Sequence, residues 1–127
     1  MNQPQALVLF AHGARDPRWA QPFKKLQAIA QQQLAGTQVE LAFLELMEPR
    51  LPEVVDQLAA NGCQHVSVVP VFLGQGGHVL RDLPPMIEEL RARHPQLQLT
   101  VSDAVGESPD VLQAIAAYCV SSLQASA

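Results

Sequence analysis

The sequence predicts an α/β fold with a four-stranded parallel sheet and helices on both faces. Apolar, β-branched runs alternate four times with amphipathic stretches along the 127 residues, as in consecutive βα units. The pairs Asp16-Pro17 and Ser108-Pro109 have the composition of helix starts. The hydrophobic fraction of 48% is ample for a core. Right-handed crossovers between parallel strands would distribute the helices over both faces of the sheet.

The first βα unit begins with residues 6–11, an apolar run suited to a buried strand. Asp16-Pro17 follows as a helix cap with proline in the first helical position. Apolar residues then recur at helical spacing until Gly36 ends the run: they are Trp19, Phe23, Leu26, Ala30 and Leu34. Residues 38–44 alternate and then become apolar, which predicts the second strand.

The second helix is expected to start at 49–51 and to end at Asn61-Gly62, with Leu51, Val54, Val55 and Leu58 buried. The third strand covers about 65–70, and ladder pairing should fade at Pro70 because proline has no N–H to donate. A flexible glycine loop at 74–77 precedes the third helix. That helix should run from about 79 or 83 to 93, with Leu83, Met86, Ile87 and Leu90 facing inward.

The last unit has a strand at about 97–102 and a helix that Ser108-Pro109 opens. Its helical periodicity predicts that Val111, Ile115, Cys119 and Leu123 face inward. The chain contains no linker or low-complexity tract. We therefore expect one domain over residues 1–127.

The cysteines and two of the histidines have structural interpretations. Cys63 and Cys119 have no neighbouring Cys or His at metal-ligand spacing and are interpreted as small buried hydrophobes. His65 precedes the third strand, at the sheet edge opposite the binding edge, and is interpreted as structural. His94 precedes Pro95 in a turn, where we expect it to be solvated.

Composition excludes several classes of partner. The net charge is −4 and there is no basic patch, so nucleic acid is a poor candidate. The apolar runs are far shorter than the roughly 20 residues that cross a membrane. The first five residues have no basic region leading into a long apolar one. We expect a soluble, cytoplasmic protein that binds neither nucleic acid nor membrane.

One polar side chain follows each strand: His12, Glu45, His78 and Glu107. Ligands of parallel α/β sheets bind beyond the carboxyl ends of the strands. Two imidazoles and a carboxylate suit Co²⁺, Ni²⁺, Fe²⁺ or Zn²⁺ better than Ca²⁺, and neutral imidazoles accept protons near pH 7. Glu45 lies nearer the strand end than Glu48 and is the preferred ligand. A loop histidine bonded only to backbone is the structural alternative.

Residues 12–16 and 78–82 share the order His-x-x-Arg-Asp. The two aspartates are interpreted as helix caps, because proline follows each within two residues. Arg15 and Arg81 could pair with these caps or with an anionic ligand. The histidines therefore hold the strongest functional claim within this repeated string.

The chain resembles the short form of the class II chelatases, the sirohydrochlorin chelatases of the cobalamin and sirohaem pathways. The resemblance extends over about residues 6–105, and its specificity comes from the combination of a His-Gly element, a Glu after the second strand and a Gly-Gly-His-Val loop. The matching stretches are Leu9-Phe10-Ala11-His12-Gly13-Ala14-Arg15, Phe43-Leu44-Glu45, Val69-Pro70-Val71-Phe72-Leu73, Gly76-Gly77-His78-Val79 and Asp82-Leu83-Pro84.

This resemblance implies a chelatase-like fold, comparable to half of a two-domain enzyme, and assembly as a homodimer. It implies insertion of a divalent metal, Co²⁺ or Fe²⁺, into the tetrapyrrole sirohydrochlorin; Ni²⁺ also suits the ligand set, and no organic cofactor is expected. His12 and His78 would hold the metal or take up pyrrole protons, and Glu45 would join them as a ligand. The family often has Ser where this chain has Ala14.

The substrate carries many carboxylates whereas the protein is net acidic. Local cations should then hold it, and Arg15, Arg50 and Arg81 lie near the proposed edge. The loop glycines Gly76 and Gly77 would let the backbone approach a wide, flat macrocycle. The residues also fit two other classes: a non-catalytic metal or tetrapyrrole carrier or sensor using the same His pair, and a flavodoxin-like domain with incidental histidines. Metal-dependent turnover separates a chelatase from a carrier.

Overall fold

A four-stranded parallel sheet forms the centre of the protein, as the sequence predicts. The computed structural model describes residues 4–74 and 76–126, excluding the side chains of residues 78, 80 and 126. The strand order is β2-β1-β3-β4, and every pairing is parallel. The strands are β1 (Gln5–Ala11), β2 (Gln38–Phe43), β3 (His65–Pro70) and β4 (Gln98–Val101).

Within the described residues, four α-helices and two 3-10 helices follow the strands. The α-helices are α1 (Gln21–Gln33), α2 (Leu51–Ala60), α3 (Gly77–Arg93) and α4 (Pro109–Ser126). The 3-10 helices are η1 (Pro17–Ala20), which leads into α1, and η2 (Val105–Glu107), which precedes α4. The alternation of strand and helix predicted from the sequence is confirmed.

The two faces of the sheet carry separate apolar clusters. One face of the sheet, here called the α2–α3 face, packs against α2 and α3. The fully buried side chains of this cluster include Phe10, Val66, Val68, Leu51, Leu58 and Leu90. The α1 face packs against η1 and α1, and its buried residues are Leu9, Ala11, Ala20, Val39, Leu41 and Phe43. Alternation along the strands sends neighbouring residues to opposite faces, so both faces are apolar as a buried parallel sheet requires.

The expected inward face of α4 is wrong. Ile115, Cys119 and Leu123 are exposed, Leu123 to 74%, and Val111 is only half-buried. The periodicity describes a real apolar stripe, but the sheet of the same chain does not cover it. The prediction that both cysteines are buried is therefore wrong for Cys119, which is exposed, and Cys63 is half-buried.

Of the two starts predicted for the third helix, about 79 is close to the observed start at Gly77, whereas 83, with Asp82 as the cap, is wrong. Asp82 lies in the second turn of α3, which begins five residues earlier at Gly77. Pro84 and Pro85 are inside the helix, although interior prolines remove a hydrogen bond and usually break helices. The sequence interpretation treated proline as a start signal. The prediction that Asp16 is a helix cap is confirmed, because its carboxylate accepts a 2.9 Å hydrogen bond from the Arg18 N–H at the start of η1.

The histidines outside the binding edge hold the domain together. His65 Nε2 lies 3.2 Å from Thr100 Oγ1 on the neighbouring strand, which agrees with a structural role. The expectation that His94 is solvated is wrong, since its side chain is only 16% exposed and its Nε2 lies 2.6 Å from Asp56 Oδ1. That pair ties the end of α3 to α2, a long-range contact that local sequence gives no signal for.

Candidate functional site

His12 and Glu45 meet at the carboxyl edge of the sheet. His12 directly follows β1, and Glu45 comes two residues after the end of β2. The two strands are neighbours, with Ala11 opposite Phe43. His12 Nε2 lies 3.2 Å from Glu45 Oε1, and the two side chains are 43% and 38% exposed. The structure therefore brings together two of the three residues predicted to face one crevice, in a position open to solvent.

The backbone fixes this pair. The β1–β2 ladder continues beyond the strands, because the N–H of Leu44 donates to Ala11 O at 2.9 Å and that of Glu45 to His12 O at 3.1 Å. Gly13 follows with φ +99°, and a Cβ there would lie 1.8 Å from the carbonyl oxygen of Glu45. Only glycine permits this approach. Leu46, on the other side of Glu45, has φ 68°, which is strained for a leucine.

A cavity of about 510 Å³ opens beside Glu45, within the size range of small-molecule sites. Its lining comes from the β2–α2 connection, α2 and α3: Leu44, Glu45, Arg50, Pro52, Asp82, Pro85, Met86 and Glu89. Arg50 is positioned by a 3.2 Å bond from its Nε to Leu44 O. The wall thus combines three carboxylates with one guanidinium, so a cation is attracted to it more strongly than an anion.

The third predicted residue, His78, belongs to the first turn of α3, but its side chain lies outside the described residues. Its backbone position is one helical turn before Asp82, which lines the cavity. Gly76 and Gly77 are exposed, and a Cβ added to either would meet no atom within 4 Å. These glycines leave open space at the start of α3 rather than relieving strain.

Gly106 is a positioning residue that the sequence reasoning missed. Its N–H donates to Phe72 O at 2.9 Å, and a Cβ there would lie 1.8 Å from Leu73 O. η2 therefore packs backbone to backbone against the loop that leads to His78. The only signal was a single glycine after the fourth strand, which alone predicts nothing about a loop thirty residues earlier.

The sequence reasoning also missed Asp82 and Glu89 as residues that line the cavity beside Glu45.

Other candidates lie away from this cavity. Arg15 is exposed, and Arg81 is 74% exposed with its Nε 3.9 Å from Asp82 Oδ1; neither lines the cavity beside Glu45. Glu107 lies in η2 and lines a second cavity of about 510 Å³ with Val69 and the residues around it. The structure does not bring Glu107 to Glu45.

The geometry of the pair allows it to bind one metal ion. Ligands about 2.1 Å from an ion, at angles of about 90–110°, lie about 3.0–3.4 Å apart, and the His12–Glu45 separation is 3.2 Å. Among the described side chains, which do not include that of residue 78, no group of three His, Cys, Asp or Glu is placed to hold a metal. The described pair supplies two ligands and leaves the remaining positions for other groups.

No helix in the described ranges is long and apolar enough to cross a membrane.

The clearest charge effect close to His12 in the chain is at Asp16, the cap of η1. Hydrogen bonds from the Arg18 side chain and N–H lower the pKa of Asp16, and Asp16 in turn raises the pKa of Arg18. The guanidinium of Arg18 bonds both carboxylate oxygens, at 2.7–3.2 Å. The carboxylate of Asp16 is thereby held by the turn after His12.

Comparison with known proteins gives consistent matches. A family model described as CbiX matches residues 6–120. A sirohydrochlorin cobaltochelatase from Methanopyrus kandleri is 39% identical over 82 residues, which are 65% of this chain and 57% of that protein. The chain thus spans little more than half the length of this curated relative.

Two crystal structures share the fold. A chain from Marinobacter aquaeolei, whose name assigns it to CbiX and cobalamin biosynthesis, matches with a TM-score of 0.84 and 32% identity over 95% of this chain and 98% of that one. The sirohydrochlorin chelatase SirB from Bacillus subtilis subspecies spizizenii, in complex with cobalt, matches with a TM-score of 0.76 and 25% identity. That match covers 88% of this chain but only 48% of SirB.

Proposed function

Since the chain belongs to the CbiX family, we propose that it is a metal chelatase that inserts Co²⁺ or Fe²⁺ into sirohydrochlorin. The observation that carries the proposal is the His12–Glu45 pair at the carboxyl edge of the sheet, 3.2 Å apart and exposed to solvent, with Glu45 lining a cavity. The names of the Methanopyrus relative and of the cobalt-bound SirB support the choice of reaction and of cobalt. Ni²⁺ is a third metal that the ligand set suits.

In this mechanism His12 and Glu45 hold the incoming ion, and His78 from the start of α3 completes the set. The metal replaces two pyrrole protons, so two N–H bonds break, the four ring nitrogens bind the metal and two protons leave. His12 and His78 can accept them once each has released the ion, because a neutral imidazole that is not bound to a metal is a base near pH 7. Three protein ligands leave coordination positions of the ion open, so the pyrrole nitrogens can enter before the protein ligands depart.

The tetrapyrrole would lie across the open edge, over the space left by Gly76 and Gly77. Arg50 is the cationic side chain among the described residues that line the cavity. Its planar guanidinium can donate two parallel hydrogen bonds to one carboxylate of the substrate. Arg15 and Arg81, both exposed, would bind carboxylates farther out.

We further propose that the chain acts as a single cytoplasmic domain over residues 1–127, paired as a homodimer and without an organic cofactor. Support for the homodimer comes from length: the chain covers 98% of the Marinobacter protein but 48% of SirB. Two copies therefore have about the length of one SirB. The exposure of the His12–Glu45 pair leaves room for a second copy to close over the macrocycle.

The test is anaerobic absorbance spectroscopy of sirohydrochlorin with Co²⁺, Fe²⁺ or Ni²⁺ in turn. We expect the wild type to accelerate at least one insertion, and His12→Ala or His78→Ala to lower that rate by roughly 10²-fold or more, in the range of lost acid–base catalysis. His65→Ala is the matched control, because His65 lies at the opposite sheet edge, and its rate should change little.

Three results would count against the proposal. A chain that binds sirohydrochlorin and Co²⁺ but leaves the rate at the uncatalysed level is a carrier rather than a chelatase. An unchanged rate in either His12→Ala or His78→Ala removes that residue from the mechanism. An equal loss in His65→Ala would mean that the sheet edge has been misassigned.

A further inference from the structure

Two large apolar side chains are exposed in the loops at the carboxyl edge of the sheet. Leu46 is 56% exposed and Leu73 is 63% exposed. The other exposed large apolar side chains of the described residues lie on α1 and α4. An isolated exposed leucine is common on protein surfaces, whereas these two occupy equivalent positions around His12.

Leu46 and Leu73 follow the two strands that flank the strand of His12. The strand order places β1 between β2 and β3, and His12 directly follows β1. Leu46 comes three residues after the end of β2, and Leu73 comes three residues after the end of β3. Neighbouring strands are about 4.8 Å apart, so the strands that lead to the leucines are about 10 Å apart. A flat ligand centred at His12 would extend over the ends of both strands.

The apolar residues near each leucine have places in the core. Leu44 is 3% exposed within the cluster of the α2–α3 face, and Met47 packs against the cluster of the α1 face. Phe72 packs against the α2–α3 cluster and Val71 against the α1 cluster. The fold therefore takes up the neighbouring apolar side chains and leaves each leucine in contact with solvent.

The backbone restricts the position of both leucines. Leu46 has φ 68°, which is costly for leucine and is adopted more readily by asparagine or glycine. Strain of this kind clusters at functional sites. The carbonyl oxygen of Leu73 lies so close to Gly106 that an added Cβ would be 1.8 Å away. Positions that are fixed in advance lower the cost of ordering when a ligand binds.

We propose that Leu46 and Leu73 contact one face of the tetrapyrrole on the two sides of the ion at His12, and that this contact positions the ring. This role rests on the proposed function, because the macrocycle is the substrate of that reaction. The ring nitrogens surround the ion at about 2.0–2.1 Å, so the carbon framework beyond them extends toward both leucines. Removal of the leucine surfaces and the ring face from water stabilises the complex.

The chemistry of the edge favours a ligand with an apolar face. A metal ion or a small anion gains nothing from exposed leucines, because neither has apolar surface to bury. A ligand that reaches both leucines and the ion at His12 must combine apolar surface with metal-binding atoms, as a tetrapyrrole does. Arg50 would hold a carboxylate of the rim, and the leucines would hold the face.

Titration of the full chain with metal-free sirohydrochlorin, followed by absorbance, tests the contact. Complete burial of a leucine changes an equilibrium constant by roughly 10- to 100-fold, and somewhat more than half of each leucine is exposed. We therefore expect Leu46→Asn and Leu73→Ala each to raise the Kd roughly three- to tenfold. Ile29→Ala is the matched control, because Ile29 on α1 is 54% exposed, and its Kd should equal that of the wild type. An unchanged Kd in either leucine variant overturns the contact at that residue.

Salt distinguishes contact with the ring face from contact with the carboxylate rim. Salt screens charge interactions, so the ratio of Kd between Arg50→Gln and the wild type should fall as KCl is raised from about 0.05 M to about 0.5 M. The corresponding ratio for Leu46→Asn should stay constant, since burial of apolar surface involves no charge. A ratio for Leu46→Asn that falls in parallel with that for Arg50→Gln overturns the proposed contact.

Leu46→Asn also separates a ligand contact from a structural role. Asparagine accepts a positive φ at a lower cost than leucine, so the urea midpoint of the ligand-free variant should equal or exceed that of the wild type. A lower midpoint means that the Leu46 side chain stabilises the protein itself. Changed sedimentation of the variant means that Leu46 contacts a second copy of the chain. Either result overturns its proposed contact with the ring.

Turnover separates this contact from the proposed activity. In the insertion assay, both leucine variants should raise the KM for sirohydrochlorin and leave kcat unchanged, as the loss of uniform binding does. Binding that depends on the leucines, without metal insertion by the wild type, would reject the chelatase and leave the contact intact. Insertion by the wild type with an unchanged KM in both leucine variants would overturn the contact and leave the chelatase intact.

Discussion

The substitution Gly13→Ala tests whether the backbone, rather than side-chain packing, holds His12 beside Glu45. Two separate costs apply at this position. The φ of +99° is in the left-handed region, where a side chain costs about 1–2 kcal/mol. The new Cβ would also lie 1.8 Å from Glu45 O, so the two segments must separate. That movement endangers the 3.1 Å bond from the Glu45 N–H to His12 O, worth about 1 kcal/mol.

We therefore expect Gly13→Ala to lower the free energy of unfolding by about 2–3 kcal/mol, of which about 1 kcal/mol is the hydrogen bond that the clash with Glu45 breaks and the rest is backbone strain. Gly62→Ala is the matched control. Gly62 has φ +88°, but a Cβ there meets nothing within 4 Å, so only the conformational cost of about 1–2 kcal/mol applies. The difference between the two variants isolates the clash with Glu45.

Urea unfolding at pH 7 measures both variants. The single tryptophan, Trp19, packs against Phe23 and Phe43 with ring centroids 4.5 and 6.4 Å away, so its fluorescence follows the α1 face, and circular dichroism follows the helices. Equal losses in Gly13→Ala and Gly62→Ala would refute the close backbone approach. If the proposed function is correct, Gly13→Ala should also lose metal insertion, whereas Gly62→Ala should keep it.

Two further predictions concern the neighbouring loops. Gly106→Ala should cost about 1–3 kcal/mol in urea unfolding, as overpacking does, because its Cβ would lie 1.8 Å from Leu73 O; Gly74→Ala, with nothing within 4 Å, should be near neutral, and equal effects would contradict the contact. Asp16, whose pKa Arg18 lowers, stabilises the fold above its unfolded pKa of about 3.9 and loses this contribution as the pH falls through its lower folded pKa. The Tm deficit of Asp16→Asn should therefore shrink on acidification below that range, and a deficit independent of pH would exclude the ionised cap.

Strand-level features of the fold were predictable because they depend on local pattern. The β-branched run at 65–70 became β3 with the same bounds, and its end at Pro70 follows from the missing N–H of proline. The meeting of His12 with Glu45 was also predictable in outline, since parallel strands bring their carboxyl ends to one edge. Neighbouring strands then bring the two side chains within 3.2 Å.

Features that depend on distant partners were not predictable. The stripe on α4 has the same periodicity whether it faces its own sheet or another surface, so the sequence could not distinguish a buried Cys119 from the exposed one observed. Proline after Asp82 imitates a helix start, although α3 begins at Gly77. Gly106 acts through a backbone contact with Leu73, and a contact across thirty residues leaves no periodic trace.

The exposure of the His12–Glu45 pair bears on the metal chemistry proposed for this edge. A structural metal site is closed by four protein ligands, whereas His12 and Glu45 are 43% and 38% exposed and their rigidity comes from the backbone ladder beneath them. Ligands that are held in place but not enclosed can bind an ion without surrounding it. That combination favours transfer of the ion to a substrate over its retention, and it is the physical reason to prefer a chelatase to a metal-storing carrier.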